Sequence, residues 1–165
     1  MFQTGDTVMH PTAGVCRIID IRRENFSGEL LPYYVITPVY DGVNSRLFVP
    51  VDSDKIVLRR LLSASQIDAI LASVPTAKDR WSADERERTE TFASLLRTGD
   101  HAAIVKMIAQ MFRYKEQLQK KGKKLHQSDE RLLRQAQTLI HQEFSFALGL
   151  EEADTIRYIM EHIAA

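Results

Sequence analysis

Five histidines stand at positions 10, 101, 126, 141 and 162, and the single cysteine is Cys16. Metal chemistry needs imidazoles or thiolates gathered at spacings such as i, i+4 on a helix, and no histidine pair here has that spacing. Nucleophilic chemistry needs a thiol beside a base, and only His10 and Cys16, which flank the turn at 11–14 (PTAG), resemble this. No third residue that would orient the base can be read. Packing as a small apolar side chain is the alternative for Cys16. The sequence contains no Walker-type loop, no dinucleotide glycine pattern and no nucleophile elbow. It therefore reads as non-enzymatic, with no cofactor and no metal, and its chemistry as binding.

Two features could carry binding. The stretch 106–134 holds nine basic residues (Lys106, Arg113, Lys115, Lys120, Lys121, Lys123, Lys124, Arg131 and Arg134) against the acidic Glu116, Asp129 and Glu130. Such a face can read phosphates, although a lysine-rich QKKGKK segment is equally what a solvated inter-helix loop looks like. The second feature is Trp81, the only tryptophan, set among charged residues at the start of a helix. It either docks on an adjoining domain or stands as an exposed wedge for the minor groove, with Arg80 and Arg86 meeting phosphates. Asp84, Glu85 and Glu87 would then have to face away from DNA.

These residues sit in a chain of 165, enough for one domain or two small ones, whose 22 basic and 22 acidic residues cancel. Zero net charge excludes histone-like bulk attraction to nucleic acid, so any such binding must be local. A lone cysteine, no basic-then-apolar leader and no apolar run approaching ~18 residues are the marks of a cytoplasmic protein without membrane contact.

The chain changes grammar near residue 60. Before it, short β-branched and aromatic runs alternate with the turn formers PTAG, Ser27-Gly28 and Asp41-Gly42. Strands are expected near 6–10, 14–23, 32–39 and 45–50, with a fifth at 55–58. So few strands stabilise themselves by curling into a small barrel. After it, the apolar period becomes helical. Ser63 with Gln66 makes a capping box for a short helix over 63–74, and 75–79 reads as a linker. A helix from Ser82 to Gly99 follows, with the same capping spacing to Glu85. Then come a helix capped by Asp100 and interrupted by Gly122, another from Ser128 to Gly149, and a last one from Glu151 to Ile163. The expected fold class is α+β: a β-barrel domain over 1–60, then an all-α domain over 61–165 whose longer helices span 82–164.

The ordered segments GDTVMHPTAGVCRIIDI, SGELLPYYVI and RLFVPVD resemble the amino-terminal module of the CarD/CdnL bacterial transcription regulators, also similar to the polymerase-interacting module of transcription-repair coupling factors. RWSADERERTETFASLLRTGD and SDERLLRQAQTLIHQEFSFALGL resemble segments of the CarD-type helical domain. The resemblance implies a Tudor/SH3-like barrel that binds the RNA polymerase β subunit and a helical domain on promoter DNA just upstream of the −10 element, stabilising the open complex. It implies partners of two kinds, polymerase and DNA, the latter through minor groove and phosphates with little sequence preference. A monomer, held at the nucleoid through polymerase, is expected. On this reading Trp81 is the wedge, Arg86 the nearby cation, and Lys123, Lys124, Arg131 and Arg134 the basic helical region. An edge strand from Ser45 through Arg46, Leu47, Phe48 and Val49 to Pro50, with Arg23 nearby, would extend a sheet in polymerase. The alternative is a protein-only interaction module without DNA contact.

Overall fold

The computed structural model describes residues 1–40, 44–74 and 81–163, so the Asp41-Gly42 turn, the 75–79 linker and Arg80 lie outside the described residues. The chain forms two compact units, Met1–Leu62 and Ser63–Ala165.

The first unit is an antiparallel sheet of β1 (Thr7–His10), β2 (Gly14–Glu24), β3 (Leu31–Pro38), β4 (Leu47–Pro50) and β5 (Arg59–Arg60). Their order is β4-β3-β2-β1-β5. The sheet fits a Tudor-like fold, with β4 and β5 outermost; among the described residues no ladder joins these two to close the expected barrel. Val8, Cys16, Ile18, Tyr34, Ile36 and Val49 form its core, with Phe2, Ile21, Ile56 and Leu58 packed against them.

The run Ile18-Ile19-Asp20-Ile21 cannot place Ile18 and Ile21 on one face by simple alternation, since they are three residues apart. A bulge between Ile18 and Asp20 solves this: Ile18 pairs with Ile36, Ile21 pairs with Tyr34, and Ile19 is pushed toward solvent. The fifth strand is displaced from its expected place. Ile56 and Leu58 reach the core without strand pairing, Val57 is exposed, and it is Arg59 and Arg60 that pair with Met9 and Val8. The backbone groups on the free side of β1 decided this, and strand propensity did not.

The second unit packs α1 (Ala64–Ser73), α2 (Glu85–Thr98), α3 (His101–Lys120), α4 (Gln127–Leu148) and α5 (Glu152–His162). Ser63 closes a capping box with Gln66, and Asp100 accepts from the N–H groups of Ala102 and Ala103. Helix α2, in contrast, is capped by Asp84 and not by Ser82, the Asp84 carboxylate taking the N–H groups of Arg86 and Glu87. Helix α4 begins one residue before the expected Ser128, whose hydroxyl instead donates to Glu85 of α2 at 2.8 Å. Gly99 at φ 68° and Gly149 at φ 67° end α2 and α4 in the left-handed conformation that a side chain would strain. Ile67, Leu71, Phe92, Ile104, Ile108, Met111, Leu133, Ile140, Phe144 and Ile159 fill the interior. Tyr158 of α5 donates to Asp68 of α1 at 2.6 Å. Among the described residues every buried side-chain N or O has a partner.

Candidate functional site

In the sheet unit β4 is an outermost strand, which among the described residues pairs only with β3. The Val51 N–H donates to the Pro32 carbonyl at 3.1 Å, which sets the antiparallel phase: Val49 and Leu47 turn their backbone groups toward β3. Phe48, between them, turns its N–H and C=O outward. Pro50, which has no N–H, limits how far a second strand can pair. Side chains alternate accordingly. Val49 is buried in the core, while the Phe48 ring lies on the opposite face, 5.1 Å from Phe26 and with the Arg22 guanidinium 5.3 Å from its centroid. Phe26 also meets Tyr33 edge-on at 5.1 Å and is 59% exposed, and Leu30 nearby is exposed as well.

Of the residues expected here, Leu47, Phe48, Val49 and Pro50 form the strand; Ser45 and Arg46 precede it, the Ser45 carbonyl accepting from the Thr37 hydroxyl at 2.9 Å. Arg23 is exposed, but Arg22 is the cation at Phe48. Counting alternately from Ile18 puts Arg23 on the Phe48 face, and the bulge exchanges the two. Arg22 also pairs with Asp20 and Glu24.

In the helical unit Trp81 is half-buried, packed within its own unit. Its ring stacks on Tyr114 of α3 at 3.9 Å and 10°, meets Phe92 of α2 at 5.9 Å, and lies 4.9 Å from the Arg88 guanidinium carbon. Arg88 in turn forms a bidentate pair with Asp129 of α4, at 2.9 and 2.7 Å, and donates to the Ser82 carbonyl at 2.8 Å. The hydrogen bonds from Arg88 to Asp129 push the Arg88 pKa still higher than usual, against the opposing effect of burial. Arg86 is exposed in the first turn of α2 and near Glu90 at 3.5 Å. Lys123 and Lys124 are exposed between α3 and α4. Arg131 and Arg134 are exposed on α4, where with Leu96, Gln135, Thr138 and Leu139 they line a groove of about 670 Å³ between α2 and α4.

Arg22, Phe26, Arg88, Tyr114 and Asp129 were not singled out by sequence. Arg88 and Asp129 are 41 residues apart, so no local spacing could join them. Phe26, beside the Ser27-Gly28 turn, carried a weak signal, an aromatic residue in a polar loop.

The His10–Cys16 pairing has no chemical basis in the folded unit. The His10 Nδ1 accepts from the N–H groups of Thr12 and Ala13, so it is not available as a base, and burial lowers the imidazole pKa. Cys16 pairs with Val8 inside the core, where burial pushes its thiol up to about 11. Among the described residues no group of three or more His, Cys, Asp or Glu could hold a metal ion, and no helix is long and apolar enough to cross a membrane.

Residues 2–62, coextensive with the sheet unit, match the model of the CarD-like/TRCF RID domain. The match covers the sheet unit and does not extend into the helical unit. The RID domain is an RNA-polymerase-interacting module, a protein-interaction domain. No curated protein matches the chain.

Proposed function

We propose that the chain is a transcription regulator whose RID unit binds the RNA polymerase β subunit by strand addition along β4, while its helical unit contacts promoter DNA upstream of the −10 element and stabilises the open complex. The observation that carries this is the outward-turned backbone of Phe48 on the outermost strand of an RID unit. A partner strand can take its N–H and C=O while meeting the Phe48 and Phe26 rings on one face. Arg46, exposed just before the strand, and Arg22 over the Phe48 ring, itself paired with Asp20 and Glu24, are the cations that acidic residues of the partner would meet.

In the helical unit Trp81 supplies the apolar contact at the melted junction, and Arg86, Lys123, Lys124, Arg131 and Arg134 supply phosphate contacts with little sequence information. The mechanism is differential binding: tighter grip on melted than on closed DNA shifts the equilibrium by that difference and no more. Tethering through polymerase raises the effective concentration of the helical unit at the promoter, so weak affinity for free DNA suffices. No reaction is required.

The protein-only reading keeps support from one observation: Trp81 is half-buried and stacked, behind a first helical turn that carries Glu85 and Glu87. Two measurements on the full chain separate the readings. Phe48→Pro removes the outward N–H and should abolish binding to the β subunit, whereas Phe48→Ala keeps the N–H and should weaken it less; equal loss in both would assign the contact to the ring alone. Trp81→Ala should leave polymerase binding intact and shorten open-complex lifetime, and an unchanged lifetime would favour the protein-only module.

A further inference from the structure

The Arg88–Asp129 pair does more than hold α2 to α4. Its side chains are 4% and 0% exposed, and a buried ion pair of this kind is commonly no more stabilising than apolar residues of similar volume. An apolar pair, however, could not do the two other things Arg88 does. Its Nη1 bonds the Ser82 carbonyl at 2.8 Å, which fixes the backbone next to Trp81, and its guanidinium carbon sits over the indole at 4.9 Å. The planar fork suits this triple task, since two N–H groups take the carboxylate, a third takes the carbonyl, and the face remains for the ring. Asp129 lies in the first turn of α4, a few residues beyond Lys120, Lys121, Lys123 and Lys124. The same carboxylate therefore fixes the indole relative to the start of the helix that follows the lysine-rich segment.

From this geometry we infer that Arg88 and Asp129 are positioning residues, a clamp that holds Trp81 and the lysine-rich segment between α3 and α4 in one preset arrangement for the promoter. The inference rests on the reading that Trp81 meets DNA. Tyr114, stacked on the indole from α3, completes the seat, so three helices define where the ring stands. The ordering cost of the ring is incurred on folding and does not recur on binding, which is what preorganisation means for a contact as small as one indole. Neither clamp residue touches DNA; both act through Trp81.

The test uses the full chain, in which Trp81 is the single tryptophan. The double variant Arg88→Met with Asp129→Leu replaces the pair by apolar side chains and should keep helix content, while removing the tether to Ser82 and the cation over the ring. Acrylamide quenching of Trp81 should rise from the native value toward that of the urea-unfolded chain, because the ring loses the cation over it and the tether of its neighbouring backbone. The lifetime of the polymerase–promoter open complex should fall toward the Trp81→Ala value. Arg88→Lys, which keeps a charge for Asp129 but not the fork, should give intermediate quenching, and it serves if the double variant does not fold. Unchanged quenching with native helix content overturns the clamp. Raised quenching with unchanged lifetime, where Trp81→Ala shortens it, overturns its functional part. A Trp81→Ala variant with unchanged lifetime instead removes the DNA reading, while quenching still reports whether the clamp positions the ring.

Discussion

Asp129→Ala puts the buried ion pair to the most direct stability test. The carboxylate receives two charge-assisted bonds from Arg88, at 2.9 and 2.7 Å, and both groups are almost wholly removed from water. Arginine cannot relieve the loss by giving up its proton, so the variant leaves a buried guanidinium without its carboxylate, held by the Ser82 carbonyl and the Trp81 ring. Breaking such a pair from one side costs about 3–5 kcal/mol. A unit of this size, Ser63–Ala165, has a total stability of about 5–15 kcal/mol. At ~4–8 °C per kcal/mol, the helical melting midpoint should fall by roughly 10–40 °C. Thermal unfolding followed by the helix signal in circular dichroism measures it. The apolar double variant should recover most of the loss, because it removes the charge together with its partner. A destabilisation by Asp129→Ala of under ~1 kcal/mol, the range of an exposed pair, would refute the reasoning.

Three further outcomes are expected. Cys16, with its thiol pushed up to about 11 inside the core, should resist iodoacetamide at neutral pH in the native protein and react once the sheet is unfolded by urea; rapid native labelling would contradict its burial. His10 is held neutral by burial, with its pKa below the usual 6.5, so the unfolded chain binds a proton that the folded unit refuses. Its contribution is full above pH 6.5 and is lost as pH falls from there through the depressed folded value; the urea midpoint of the sheet unit should drop over that window in the native chain and less in His10→Gln. Reversing Lys123 and Lys124 to Glu should reduce the steepness with which promoter binding falls with salt by about 0.9 for each phosphate no longer neutralised, and an unchanged slope would place both lysines off the DNA.

The two units differ in how much of them is legible along the chain. Ser63 with Gln66, Asp100 before α3, and the glycines after α2 and α4 were legible because capping and left-handed termination are settled within about four residues of chain. The strands β1 to β4 were legible for the same reason, as β-branched runs between turns. The start of α2 was misplaced where Ser82 and Asp84 offered rival caps; Asp84 takes the cap, and the Ser82 carbonyl is held instead by Arg88 of the tertiary pair, which no local spacing shows. The fifth strand was misplaced because its pairing is set by the free side of β1.

The site divides along the same line. Trp81, Phe48 and the lysine-rich segment are visible as residue types in unusual company, and a family resemblance could attach roles to them. Arg22 at Phe48 depends on a single bulged residue that reverses the face of everything after it. The seat of Trp81 depends on Tyr114 from one helix and on a carboxylate 41 residues from the arginine it holds. Sequence by itself determined the elements other than the fifth strand and the start of α2, since each of the others is decided by neighbours along the chain and by the period of its apolar face. Only the tertiary structure decided which side chains meet and how the indole is turned, because burial, ion pairing and register are set by groups brought together across the fold.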